Sequence, residues 1–210
     1  MADIAVKRLA PQIVHLDEQV CDLFEEITVG ARLATSALIS GDNSEAKRLS
    51  QQDTPAGTLQ RDVERAIEEQ FARYAPMGSD FRYLVTVLRV VPKLERSAGL
   101  IDHIADRAYL SGLLSPRVVA TVADMGQLAA AMWESAARAW VTVDPDAAGR
   151  LDSTDDRVDE LTATLPSLLA DGGVPARAAI ELALVGRFYE RLADHAVHVA
   201  SRIRWLAKGS

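Results

Sequence analysis

Two pairs of acidic residues set the chemical question. Glu190 and Asp194 lie four positions apart, and so do Asp155 and Asp159 in the segment before them. On a helix, residues four apart share a face, with Cβ atoms about 6 Å from each other. If the two segments are antiparallel neighbours, four carboxylates meet on one surface. Two carboxylates at about 6 Å repel by about 3 kcal/mol at an effective dielectric near 20, and by less than about 1 kcal/mol in bulk water. A partly sheltered quartet therefore needs a cation, a proton or an arginine. Hard oxygen donors in a shallow groove suit Mg²⁺, Mn²⁺, Ca²⁺ or iron better than a closed zinc site. The plainer account uses the same residues. Acids four apart are common on solvated helix faces, and Arg157 and Arg191 stand where they could absorb charge as surface pairs of little worth.

The other reactive side chains narrow the chemistry. The histidines are His15, His103, His195 and His198, and none has an acidic residue three positions before it. Ferritin-like di-iron oxidase chemistry, built on Glu-x-x-His pairs, is therefore disfavoured. His198, four after Asp194, either extends a carboxylate site or orients a carboxylate. The chain has no Gly-rich phosphate loop and no nucleophile–base arrangement, which argues against an enzyme. Cys21, the single cysteine, lies among Val20, Leu23, Phe24 and Ile27 and reads as a small buried hydrophobe. It fits a reducing cytoplasm.

An internal repeat carries these residues. Glu95 and Glu190 are 95 positions apart, and the same offset joins Arg82 to Arg177, Val63 to Val158, Glu64 to Asp159, His103 to His198 and Arg107 to Arg202. A gapless register of this length means one helical unit copied twice.

Charge and hydropathy exclude whole classes of function. A formal net charge of −7 argues against a general nucleic-acid binder, which needs a basic face. The N-terminus lacks the pattern of a secretory signal, and no run of about 18 uncharged apolar residues exists to span a membrane. A cytoplasmic protein is expected, free or peripheral at the inner face of the membrane.

The periodicity is helical nearly throughout, and it predicts six helices. The first runs from about Pro11 to Ser40, with proline at a first-turn position where its missing N–H costs nothing. The second spans about 44–74 with a kink or break near Pro55 and Gly57. The third covers about 79–111 and is bent at Pro92; Gly112 and Pro116 then mark the join between repeats. The fourth, about 116–142, is alanine-rich and is a candidate surface for close packing against a second subunit, hence a homodimer. The fifth ends near Gly172–Gly173 and the sixth spans about 175–208. Short turns make neighbours antiparallel. The expected fold class is all-α, two tandem three-helix bundles at 1–113 and 114–210. Trp133, Trp140 and Trp205 are expected in the core or at an interface.

The segment Tyr189-Glu190-Arg191-Leu192-Ala193-Asp194-His195-Ala196-Val197-His198-Val199-Ala200 resembles the signature helix of the PhoU family, phosphate-signalling regulators of bacteria. Leu94-Glu95-Arg96 resembles its first-bundle version. Ser79-Asp80-Phe81-Arg82 resembles the family's Ser/Thr-Asp-Leu-Arg stretch, and Asp155-Asp156-Arg157-Val158-Asp159 its acidic motif on the preceding helix. The likeness runs from the first helix to about Leu206 and is closest in style to actinobacterial members. It implies tandem three-helix bundles. It also implies metal held by an acidic residue, three others, then aspartate, twice per bundle, with Asp155, Asp159, Glu190 and Asp194 as the ligands here. The cation would be divalent or trivalent: Mg, Mn, Fe or Zn.

The first bundle departs from that pattern. Its second acidic position is Gly99 and an earlier one is Gln60, so only Glu64 and Glu95 correspond. Asp102 and Asp106, again four apart, offer a shifted substitute, though Asp102 points about 60° away from Gly99 on a 3.6-residue helix. A weak or empty first site is expected. The resemblance further implies a repressor of phosphate-starvation signalling that contacts a phosphate ABC transporter ATPase and a sensor histidine kinase. The departures favour an alternative, a metal-free helical interaction scaffold. A carboxylate-metal enzyme acting on a phosphate-containing substrate is a third, more distant reading.

Overall fold

The computed structural model describes residues 11–44, 46–47, 58–171 and 173–208, with the backbone alone for 11–14. Every regular element among these residues is helical: α1 Pro11–Ser40, α2 Thr58–Tyr74, α3 Ser79–Ala105, a 3₁₀ turn Ala108–Leu113, α4 Pro116–Thr142, α5 Ala147–Asp171 and α6 Ala176–Ala207. The break expected near Pro55 and Gly57 lies outside the described residues.

Local chemistry sets most of these ends. Ser115 caps α4 by accepting from the Val118 N–H, and Pro116 follows at the first helical position. Gly41, at φ 84°, ends α1 in the left-handed region and returns its N–H to the Ala37 carbonyl at 2.8 Å. The helices α3 and α5 run through Pro92 and Pro166. One end differs from the sequence expectation: α3 stops at Ala105, not near 111. Arg107 braces this end. Its Nη1 donates to the His103 carbonyl at 2.6 Å, covering an end-of-helix acceptor. Its Nη2 also pairs with Glu181 on α6 at 2.9 Å. The chain then tightens into the 3₁₀ turn that buries Ala108 and Leu110.

Apolar stripes at helical spacing explain the layering. On α1, Val20, Phe24, Ile27, Ala31, Ala34 and Leu38 are fully buried. They face both α3 and α4, while α6 packs on α3, α4 and α5. The four longest helices, α1, α3, α4 and α6, therefore form the centre, with α2 laid on α1 and α3 and α5 laid on α4 and α6. Two tandem three-helix units share one continuous core. The alanine-rich face of α4 is taken up inside the chain: Ala129, Ala130, Ala136 and Ala139 are all buried. That face offers nothing to a second subunit.

Polar bonds tie the two units together across this centre. The Tyr189 hydroxyl donates to Thr35 Oγ1 at 2.7 Å, whose own hydrogen goes to the Ala31 carbonyl. The indole of fully buried Trp133 donates within the second unit to the Leu192 carbonyl at 3.0 Å, and its ring reaches across to Phe24 of the first unit, with centroids 6.0 Å apart. Tyr83 and Trp140 both donate to Asp17 Oδ1, at 2.6 and 3.0 Å. Trp133 and Trp140 lie in the core as expected, while Trp205 is 37% exposed. Cys21 is half-buried, and burial together with the Asp17 charge pushes its thiol up to about 11. The thiolate is thus disfavoured, consistent with a packing role.

Candidate metal centre

The carboxylates of the second unit stand on α5 and α6, two antiparallel helices held close by Gly186. A Cβ added there would lie 3.0 Å from Leu165 Cδ2. Thr162 Oγ1 donates to the Gly186 carbonyl at 3.3 Å, fixing the register just beside the acidic residues. Asp155 and Asp159 are one turn apart on α5, and Glu190 and Asp194 are one turn apart on α6.

Asp155, Asp159 and Asp194 lie within electrostatic reach of one another across the two helices. Burial raises the Asp155 carboxyl to about 6, and the neighbouring charges of Asp194 and Asp159 push the same way. Burial also raises Asp159, followed by the charges of Asp194 and Asp156. Asp155 Oδ1 is buried with no hydrogen-bond partner. A buried acceptor left unpaired costs about 1–3 kcal/mol, so this oxygen awaits a proton or a cation. Asp152, which the sequence reading did not single out, and Asp156, quoted there only as part of the acidic motif, join the field around Asp155. Their one signal is an acidic run at the start of α5.

The fourth residue, Glu190, is taken up by an arginine. Glu190 is engaged by Arg187, three positions before it on α6, and Arg187 also moderates the charge on Asp159. The arginine that absorbs charge here is therefore Arg187, neither Arg157 nor Arg191. Among the described residues, no three His, Cys, Asp or Glu side chains are drawn in to the spacing that would close on an ion. The donor set nevertheless fits a hard cation. It consists of carboxylate oxygens, those of Asp155 and Asp159 raised in proton affinity by burial and by neighbouring charge, and one of them is buried and unpaired.

His198 does not serve this site. Its Nε2 accepts from Arg202 at 3.4 Å, and its neighbours are Lys93, Arg202 and Arg89, which together with burial lower its pKa. His195 follows Asp194 in sequence yet turns to the seam with α3. The Ser97 hydroxyl donates to the Lys93 carbonyl at 2.7 Å, so it accepts from His195 Nδ1–H at 2.9 Å. His103 stacks on Phe188 with ring centroids 5.4 Å apart.

The first unit is built differently at the equivalent positions. Gln60 donates from its backbone N–H to Glu95 Oε1 at 3.2 Å and from its side-chain amide to Glu64 Oε1 at 2.8 Å. Glu64 and Glu95 are thus gathered, but around an amide. Asp102 lies seven residues beyond Glu95, about 10 Å along the axis, and Asp106 falls past the end of α3. Neither substitutes for Gly99.

Comparison with known proteins agrees with this architecture. The PhoU domain family matches the chain twice, at residues 30–108 and 122–203, together more than half of it. The phosphate-specific transport system accessory protein PhoU homolog 1 of Mycobacterium leprae is 31% identical over 206 residues, covering 95% of this chain and 92% of that protein. PhoU homolog 2 of Mycobacterium tuberculosis is 30% identical over 206 residues, covering 95% and 96%. The crystal structure of PhoU from Pseudomonas aeruginosa superposes with a TM-score of 0.84 at 23% identity, covering 95% of this chain and 98% of that one. Doubled family domain, tandem bundles and signature helix agree: the chain belongs to the PhoU family.

Proposed function

We propose that this chain is an accessory regulator of phosphate transport that represses phosphate uptake and phosphate-starvation signalling when phosphate is ample. Family membership supports the reading, since relatives with at least 30% identity over nearly the whole chain are named as accessory proteins of a phosphate-specific transport system. Its partners would be the transporter's ATPase and a sensor histidine kinase, met in the cytoplasm or at the inner face of the membrane. No helix among the described residues is long and apolar enough to cross a membrane. Self-association as a homodimer belongs to the same reading, with no surface assigned. The role is one of contact, without turnover. Deleting the gene and following a phosphate-starvation reporter in rich phosphate tests it. Expression should rise, and normal repression in a strain without a second copy would defeat the reading.

Within that role, a cation held between α5 and α6 is the second element of the proposal. The single observation behind it is the buried, unpartnered Asp155 Oδ1 facing the charges of Asp159 and Asp194. Asp155, Asp159 and Asp194 would hold the ion, and Glu190 would join once released by Arg187. Such an ion would cancel the mutual repulsion of the carboxylates and pin α5 to α6. A metal-free interaction scaffold is the competing reading, favoured by the Arg187–Glu190 pair. Elemental analysis of protein purified without chelator separates the two.

A further inference from the structure

The contacts of α3 with α6 run antiparallel: Arg107 meets Glu181, His103 meets Phe188, and Ser97 meets His195. These helices are repeat mates, so their seam carries an approximate two-fold relation. Each contact at one end has a counterpart at the other, 95 positions along.

The first end is closed within the chain. His103 stacks on Phe188, the Arg107 guanidinium lies 4.9 Å from the Phe188 ring centre, and Glu181 neutralises Arg107. At the other end the counterparts of His103 and Arg107 are His198 and Arg202, and these two still meet, at 3.4 Å. What has changed is their surroundings. Phe188 is replaced by Lys93, Leu184 by Arg89, and Glu181 by Thr86, which is fully buried. Arg202 therefore has the place of Arg107 without its carboxylate.

Cations continue past this end. Arg96 and its counterpart Arg191 are exposed near the middle of the seam, flanking His195. Among the described residues, Arg89, Lys93, Arg96, Arg191 and Arg202 form no ion pair with a carboxylate. A chain with a net charge of −7 has thus set five cations on one seam and left them without acids. Like charges so arranged repel, and a soluble surface normally intersperses the signs.

We propose that this seam binds an acidic, extended segment of a partner protein, with a carboxylate of that segment taking at Arg202 the place that Glu181 takes at Arg107. The length of the stripe decides for a peptide over a single small oxyanion. From Arg191 to Arg202 the helix rises about 16 Å, and about five extended residues span that distance. Alternate side chains of an extended strand fall on one face, so acidic residues at every second position would meet the cations in turn. The inference deepens the adaptor reading, since it names the chemistry of a partner, but it asks nothing of the carboxylates on α5.

Fluorescence anisotropy tests it with the full chain, pre-treated with chelator, and a labelled peptide of alternating glutamate and alanine. Binding should weaken as salt rises. Arg202→Glu and Lys93→Glu should each weaken it by at least about tenfold, while Arg204→Glu, exposed elsewhere on α6, should change it little. Far-UV circular dichroism confirms that the variants fold. Equal loss with Arg204→Glu, no loss with Arg202→Glu, or full displacement by millimolar inorganic phosphate at constant ionic strength overturns the proposal. Phosphate displacement would mark a free-oxyanion site instead. If peptide binding fails while reporter repression stands, only this inference falls. If the reverse holds, the seam stands and the regulatory reading falls.

Discussion

The two copies of the acidic site use the same backbone to opposite ends. In the second copy, Asp155, Asp159 and Asp194 crowd one another and leave a buried oxygen unpaired. In the first, Gln60 stands where Asp155 does, and its two N–H groups each reach a glutamate oxygen. The side-chain amide of Gln60 thus gives Glu64 a donor within the chain, where the acid at the equivalent position of the second copy has an unpaired oxygen. The packing beneath diverges as well. Gly186 admits α5 closely, whereas its counterpart Val91 is itself fully buried side chain. Fold and site are separable: the helices persist where the charge pattern has been lost.

The sharpest way to break this contrast is to remove one acid from each copy. Asp194→Ala should reduce cation affinity by more than the roughly 10–100-fold that losing an outer-shell partner costs. Glu95→Ala should leave metal content unchanged. Titration calorimetry with elemental analysis measures both, and equal losses would erase the distinction. Next in size, Gly186→Val gives the second copy the first copy's residue. Overpacking against Leu165 should cost about 1–3 kcal/mol in urea unfolding and lower cation affinity with it. A neutral result would mean that the close approach of α5 does not matter.

A smaller effect tests the electrostatics of Asp155. Its folded pKa lies above the unfolded value, so in metal-free protein its ionisation opposes folding as pH rises from about 4 through about 6. Asp155→Asn should then stabilise the metal-free protein by about 1 kcal/mol near pH 8, a figure reduced for solvent access, and by nothing near pH 4. With saturating cation the sign should reverse. Thermal melts at the two pH values, with and without metal, read this directly. The smallest change is expected on rebuilding the first copy. Gln60→Glu with Gly99→Asp should lose about 1 kcal/mol without metal through the missing amide bond and recover it when cation is added. The space at Gly99 is open to a side chain. No response to cation would show that four carboxylates at these positions are not enough.

Much of this was legible in the sequence because it depends on local or periodic information. The apolar stripe of α1, the Ser115–Pro116 start of α4 and the 95-residue register all come from patterns within a few turns or between copies. The early end of α3 was not legible, because the partner that fixes Arg107 is Glu181, distant in sequence. The choice of Arg187 for Glu190 was equally hidden. The sequence reading weighs Arg157 and Arg191 for this charge, whereas Arg187, three positions before Glu190, takes it. His198 was misplaced because spacing puts it near Asp194 along the helix but does not say that α3 presents lysine and arginine to it. The site's residue types came from local spacing, and its environment came from neighbouring helices that the sequence could not align.

The indole of Trp133, bonded to the Leu192 carbonyl, gives the molecule a built-in optical gauge. Its emission comes from a dry ring at the junction between the copies, whereas Trp205 already meets solvent. Loosening that junction while both bundles stay helical would shift the spectrum to longer wavelength with no loss of ellipticity. A partner or cation that tightens it would hold the colour blue.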